Sequence, residues 1–100
     1  MSHFVILLRF TDRRHLAPNA LSSHNDWLRQ GFDDGIFLLA GSLPDKAGGL
    51  LVAACTTSEA LRQRIDGDPF VVQGIVAAEI IPFRPHRAAS GLEFLIEEAR

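Results

Sequence analysis

The predicted strands of this 100-residue chain are apolar on both faces, and this feature restricts its possible folds more than any other. Successive residues of a strand point to opposite faces. Within residues 4–10, Phe4 and Ile6 therefore point to one face, whereas Val5 and Leu7 point to the other. Two further predicted strands have the same pattern, residues 36–43 and 50–55. Strands of this kind are stable only when both of their faces are covered.

Two helices are predicted between these strands. Pro18 suits the start of the first helix, because the N–H that proline lacks has no helical partner there anyway. A glycine within residues 31–35 ends this helix. Thr56 and Glu59 have the T-x-x-E spacing of a capping box, which predicts the start of the second helix, and Gly67 ends it.

The fourth predicted strand covers residues 75–83 and completes the order β-α-β-β-α-β. This order is typical of the ferredoxin-like α+β fold, in which a four-stranded antiparallel sheet carries both helices on one face. The other face would then be apolar and uncovered, which a soluble monomer does not tolerate over such an area. We therefore predict a homodimer in which two sheets pack face to face and leave a hollow beside the first helix.

The composition excludes several classes of function. A net charge of −2 argues against a nucleic-acid-binding protein, which needs a basic surface. The apolar runs are far too short to cross a bilayer, and residues 1–10 lack the features of a signal peptide. The single cysteine, Cys55, lies in an apolar run and suits a reducing compartment. We expect a cytoplasmic protein that binds neither nucleic acid nor membranes.

A histidine and an aspartate are the candidates for catalysis. His24 shares an apolar helical stripe with Leu21 and Leu28, so it faces the interior. Pro69 keeps Asp68 out of the helical region, which predicts a stiff turn before the fourth strand. If the two meet, Asp68 sets the tautomer of His24, and the other ring nitrogen can accept a proton from a small substrate. Alternatively, His24 is a core histidine that Asp68 satisfies, or Asp68 only caps the following turn.

Three further residues are predicted to bind a substrate: Arg9, Ser42 and Phe70. Arg9 stands in an otherwise apolar strand and could contact an anionic group, although an ion pair with Glu79 on the fourth strand is the favoured alternative. Ser42 follows Gly41, and this pair could line a pocket with backbone N–H groups or simply make a turn. Phe70 follows the Asp-Pro dipeptide and completes the set.

No metal and no cofactor is predicted. The four histidines are scattered along the sequence without a pair at ligand spacing, and the chain has one cysteine. The sequence also lacks a phosphate-binding loop of the G-x-x-x-x-G-K-[ST] type. The expected partner, besides a second copy of the chain, is a small molecule.

An ordered set of short motifs carries a resemblance to a known family. The set comprises F-V-I-L-L at 4–8, the lone inward histidine at 24, L-L-A-G at 38–41, G-G-L-L-V at 48–52, D-P-F at 68–70, a glycine at 74 and P-F at 82–83. Together these motifs resemble the YciI-like, or YCII-related, domain family over residues 3–84. The D-P-F motif is weak by itself, and the order of the whole set carries the resemblance.

The resemblance implies a subunit that pairs into a dimeric α+β barrel, with an active site built on a His–Asp pair at the positions of His24 and Asp68. Where family members have an activity, the resemblance implies acid–base elimination from a small, often aromatic molecule, as in a dehydrochlorinase-like lyase. Two positions depart from the family pattern. Leu21 stands where members have an arginine, and Ser42 stands where they have a proline. If that arginine contacts an anion, the substrate here differs or is absent.

The chain extends past the region of resemblance. We predict a YciI-like domain over residues 1–84 and a C-terminal extension over residues 85–100. The extension begins as a basic loop. Its apolar residues then recur at helical spacing and predict a short amphipathic helix, with a stripe formed by Leu92, Leu95, Ile96 and Ala99.

Two classes of function follow from these observations. In the first, the chain is a small lyase with His24 as the general base and Asp68 as its orienting partner. In the second, it is a non-catalytic dimeric domain that binds a small ligand or serves as an accessory module, and both residues are structural. Dimeric α+β barrels also host cofactor-free monooxygenases and haem-linked proteins, but no residue here points to oxygen or haem chemistry.

Overall fold

Four strands and four helices make up the fold in the computed structural model of the chain, which describes residues 1–98. The strands are β1 (Ser2–Phe10), β2 (Phe37–Ser42), β3 (Gly48–Cys55) and β4 (Val76–Phe83). The helices are α1 (Ala17–Asp33), α2 (Ser58–Asp66), α3 (Pro69–Val72) and α4 (Phe94–Glu98). Short 3-10 turns at Arg14–Leu16 and Pro44–Lys46 precede α1 and β3. The predicted order is confirmed, with α3 inserted before β4.

The strands form one sheet in the order β2-β3-β1-β4, and each pairing is antiparallel. Strand β1 is central, as its two apolar faces predict, and its Leu7 pairs with Leu50 on one side and with Glu79 on the other. Pro82 lies on the edge strand β4, where a proline is tolerated. This topology confirms the ferredoxin-like α+β prediction.

The hydrophobic core lies between the sheet and the helices. Ile6 and Ala53 of the sheet are fully buried there, and so are Leu61 and Ile65 of α2. Leu61 and Ile65 are four residues apart, so they project from the same side of α2 toward the sheet. Burying an aliphatic side chain of this size stabilises the fold by about 1.5–3 kcal/mol.

The opposite face of the sheet is also apolar, and part of its surface is exposed. Val5 pairs with Val52 on one side and with Ile81 on the other, so the three side chains lie abreast on this face. Ile81 on one edge strand is 39% exposed, and Leu39 on the other edge strand is 58% exposed. The chain therefore presents an apolar sheet face of the kind that motivates the predicted dimer.

Helix α1 approaches β2 closely because Gly31 has no side chain. A Cβ atom at Gly31 would come within 2.2 Å of the buried ring of Phe37. That ring meets Trp27 edge-on, with 5.1 Å between the ring centroids. The indole Nε1–H of Trp27 in turn donates to the carbonyl oxygen of Arg64 at 3.0 Å. These contacts fix the part of α1 that lies one turn beyond His24.

The start of α2 differs by one residue from the prediction. Thr57 is the N-cap, and its side-chain oxygen accepts the backbone N–H of Ala60 at 3.1 Å. The predicted capping box on Thr56 is therefore wrong. A capping side chain reaches the N–H three residues ahead, and Thr57 is the extended residue immediately before the first helical turn. The predicted end of the helix at Gly67 is confirmed.

The C-terminal extension contains the short helix α4, which follows the predicted loop. Ala99, the last residue of the predicted apolar stripe, lies outside the described residues. The domain boundary at residue 84 stays a prediction. Within residues 1–98, no helix combines the length and the apolar character needed to cross a membrane.

Candidate active site

Asp68 is held at the start of α3. It is extended, with φ −64° and ψ 125°, as the following proline requires. Its Oδ1 accepts the backbone N–H of Phe70 at 3.0 Å, so Asp68 is the N-cap of the helix. Its exposed fraction is 0%. The predicted turn is therefore a short helix, because proline fits the first helical position and aspartate fits the cap before it.

His24 reaches this carboxylate from the middle of α1. Its Nδ1 lies 2.7 Å from Asp68 Oδ1. Because an ionised carboxylate only accepts hydrogen bonds, we assign the proton to Nδ1, which leaves the lone pair of Nε2 available. The His24 side chain is 14% exposed, whereas the Asp68 side chain is not exposed. The pair thus has a buried carboxylate and an imidazole that reaches toward solvent.

Two aromatic rings fix the orientation of the imidazole. Phe70 is stacked on His24, with 4.0 Å between the ring centroids and 6° between the ring planes. Trp27 lies at 5.7 Å from His24, one turn further along α1. The residue that provides the stacking ring also provides the N–H that binds Asp68. One short segment, residues 68–70, therefore positions both the carboxylate and the ring plane of its partner.

A cavity of about 660 Å³ opens between α1 and the sheet, and His24 lies in its wall. This volume suits a small organic molecule. Its apolar walls come from the sheet and from α1, and they include Leu8, Phe10, Leu21, Leu28 and Val76. All of these walls belong to one chain, on the helix-covered face of the sheet. The hollow that we predicted beside the first helix therefore has walls from a single subunit, and a contribution from a second copy stays a prediction.

The structure brings four of the five predicted site residues together. Ser42 and Phe70 line the same cavity as His24, and Asp68 lies directly behind the imidazole. Arg9 does not reach this cavity. It lies on the open face of the sheet, where its Nη1 is 2.7 Å from Glu79 Oε1. The alternative ion pair is therefore observed, and substrate binding by Arg9 stays a prediction.

Two cationic side chains of the cavity wall, Arg14 and Lys46, were not predicted. The sequence did carry a signal for them, in the order of the elements. Strands β1 and β3 are antiparallel neighbours, so the end of β1 lies beside the start of β3. Arg14 follows β1 and Lys46 precedes β3. Both therefore come to the edge of the sheet where the cavity opens.

Outside the cavity, an ion pair between Asp34 and Arg64 connects α1 to α2 and is called the anchor below. Asp34 accepts a hydrogen bond from the Gln30 amide and another from the Arg64 guanidinium, both at 2.8 Å. These two donors hold the pKa of Asp34 below its usual value. The same Arg64 binds the indole of Trp27 through its carbonyl oxygen. The anchor therefore supports the end of α1 that carries the neighbour of His24.

The described residues provide no cluster of metal ligands. Across residues 1–98, no three His, Cys, Asp or Glu side chains are close enough together to hold a metal ion. The His24–Asp68 pair by itself offers two donors, which is fewer than a structural or catalytic zinc site uses. The absence of a cofactor stays a prediction.

Comparisons with known proteins agree with the fold. The profile of the family described as "YCII-related domain" matches residues 3–84. A similar solved structure is 5-chloro-2-hydroxyhydroquinone dehydrochlorinase (TftG) from Burkholderia phenoliruptrix AC1100, in complex with 2,5-dihydroxybenzoquinone. Its TM-score is 0.68 at 16% sequence identity, and the alignment covers 86% of this chain and 95% of that chain. At this identity the likeness establishes the fold alone. A search of curated proteins finds no match.

Proposed function

The chain belongs to the YCII-related domain family, and from this premise we propose that it is a cytoplasmic lyase acting on a small molecule, with His24 as the general base. The observation that carries the proposal is the His24–Asp68 contact of 2.7 Å beside a cavity of about 660 Å³. A base must lie in a pocket, carry a free lone pair and be held in one orientation. His24 meets these three requirements through its position, its assigned tautomer and its stacking on Phe70.

The proposed reaction is an elimination. His24 Nε2 takes a proton from the substrate, and the electron pair of the broken bond forms a new double bond. The bond to the leaving group then breaks, and the group departs as an anion such as chloride. The Asp68 carboxylate stabilises the imidazolium that forms, and the proton afterwards passes to solvent. A base in this role contributes about 10²–10⁴-fold in rate.

A small aromatic or quinone-like molecule is the proposed substrate class. The rings of Phe10 and Phe70, which are tilted relative to each other, give the cavity flat apolar surface. Such surface favours planar ligands. The similar solved structure is named a dehydrochlorinase and holds 2,5-dihydroxybenzoquinone, which supports carrying a related chemistry to this chain as a proposal.

A non-catalytic ligand-binding domain is the second candidate, and one observation favours it. Asp68 already has a structural task, because its Oδ1 caps α3 through the N–H of Phe70. A buried aspartate that caps a helix stabilises the fold whether or not the protein catalyses a reaction. In this case His24 only fills the second hydrogen-bonding direction of that oxygen.

Chloride release separates the two candidates. The purified protein is incubated anaerobically with 5-chloro-2-hydroxyhydroquinone and related chlorinated phenols, and chloride is followed with an ion-selective electrode. We expect release that depends on the protein and is unchanged in His86→Ala, which alters an exposed histidine outside the cavity. Binding of these compounds without chloride release would support the non-catalytic candidate and contradict the lyase.

We also propose that a second copy covers the open sheet face. Val5, Val52 and Ile81 lie abreast on that face and are only partly buried in a single chain.

The substitution Val52→Asp tests this proposal. It would place a carboxylate at the interface, and burying a carboxylate away from water is costly when it has no partner. We expect sedimentation velocity at about 10 µM to give a dimer for the wild type and a monomer for Val52→Asp, both with native circular dichroism. Gln63→Asp, on the exposed side of α2, should remain dimeric. A monomeric wild type would refute this proposal.

A further inference from the structure

Positive charge dominates the mouth of the cavity. Arg14 and Lys46 line it, and no Asp or Glu does so within the described part of the chain. Asp68 lies behind His24 and is fully buried, so its carboxylate does not face the cavity. The chain as a whole carries a net charge of −2. A locally cationic cavity on an acidic protein needs a specific explanation.

Arg14 is held in place by two contacts that leave its charge uncompensated. Its guanidinium carbon lies 4.7 Å from the centroid of the Phe10 ring. Its Nη2 donates to the carbonyl oxygen of Lys46 at 2.7 Å. A ring face and a neutral carbonyl orient a guanidinium but do not neutralise it. Among residues 1–98, Arg14 has no carboxylate partner, whereas Arg9 and Arg64 each have one.

The loop that supplies this carbonyl has a costly conformation. Asp45 and Lys46 have φ values of 59° and 56°, in the left-handed region that non-glycine residues rarely adopt. Hydrogen bonds from Ala47 to Pro44 and from Phe10 to Ala47 hold the loop. Non-glycine residues in this region are strained, and such strain is concentrated at functional sites. Here the strained residue is the one whose carbonyl orients Arg14.

A row of rings joins Arg14 to the proposed base. Phe10, beneath Arg14, is 6.2 Å from Phe70, and Phe70 is stacked on His24 at 4.0 Å. All four residues line the cavity. A planar molecule lying along this row would have a cation at one end and the lone pair of His24 at the other.

We propose that Arg14 binds a negatively charged group of the ligand, so that the cavity selects small planar anions such as phenolates, enolates and carboxylates. The anionic group binds the guanidinium through its unused N–H donors, which suit oxyanions. The part of this inference that concerns reaction rests on the proposed function. During proton removal, negative charge develops on the substrate, and a fixed cation stabilises that charge.

Calorimetric titration with a charged and a neutral ring tests the proposal. The probes are 2,5-dihydroxybenzoquinone, an anion at neutral pH, and hydroquinone, a neutral ring of similar size. A hydrogen bond to a charged group is worth enough for Arg14→Gln to weaken binding of the anion by about 10-fold or more. Binding of hydroquinone should not change, and Arg14→Lys should recover part of the loss. Arg29→Gln, which alters an exposed arginine of α1 outside the cavity, is the matched control.

Three results would overturn the assignment of Arg14. They are an equal loss for both probes, no loss for the anion, and no binding of the anion by the wild type. His24→Ala separates this assignment from the proposed function, since binding of a probe that does not react needs no base. If the His24→Ala variant keeps the binding that depends on Arg14, and the wild type turns over no chlorinated compound, the anion site is supported and the lyase proposal is contradicted. If Arg14→Gln turns over substrate with an unchanged KM, the anion site is contradicted and the lyase proposal is supported.

Discussion

His24→Ala should lower kcat/KM for the elimination by about 10²–10⁴-fold, the share that a positioned general base contributes. The imidazole lies in the cavity wall, and the assigned tautomer leaves the lone pair of its Nε2 available to accept a proton. The measurement is the initial rate of chloride release over a series of substrate concentrations. The loss should appear mainly in kcat, because the ring acts in the transition state and contributes little to binding of the substrate.

Stability provides the control for this variant. After removal of the imidazole, Asp68 Oδ1 still accepts the N–H of Phe70, and water can enter from the open cavity. We therefore expect the free energy of unfolding to fall by only about 1 kcal/mol. A variant that keeps wild-type turnover would end the general-base assignment. A variant that unfolds would identify His24 as a structural histidine.

Asp68→Asn should reduce kcat by about 10²-fold or more, because the neutral amide cannot stabilise the imidazolium. The side-chain oxygen of asparagine can still cap α3 through the N–H of Phe70. Its amide nitrogen would occupy the position of Asp68 Oδ2, which is buried without a hydrogen-bond partner in residues 1–98. An unsatisfied buried donor of this kind destabilises by about 1–3 kcal/mol. Urea unfolding and chloride release together measure both effects.

Asp68→Ala is the informative companion of this variant. It removes the cap and the partner of His24 together, so its loss of stability should exceed that of His24→Ala by about 1 kcal/mol. Stability at position 68 therefore does not separate a catalytic pair from a structural one, because Asp68 has a structural task in either case. Normal turnover in Asp68→Asn would contradict the orienting role.

The fold was predictable from the sequence because its strongest signal is the two-sided apolar pattern of the strands. That pattern placed residues 4–10 at the centre of the sheet, and β1 is central in the structure. The preference for an Arg9–Glu79 ion pair also came from the pattern, since both charges interrupt apolar strands. The α2 cap was misplaced by one residue because Thr56 and Thr57 are adjacent and both are capping residues.

The candidate site was predictable only in part, because its geometry depends on contacts between distant segments. The motif at residues 68–70 predicted an extended Asp68, but a four-residue helix is too short for a periodic signal. Arg14 and Lys46 are separated by 32 positions, and only strand pairing brings them together. The apolar pattern predicted a hollow beside the first helix, but it does not reveal that α1, β2 and β3 of one chain supply its walls.

Trp27 gives this protein an intrinsic optical probe of the proposed chemistry. It is the only tryptophan in the chain, and its indole lies 5.7 Å from the imidazole of His24. An indole senses a cation that forms close to its ring. The fluorescence emission of Trp27 should therefore report an imidazolium that forms on His24, so that the proposed proton transfer can be observed in the unlabelled protein.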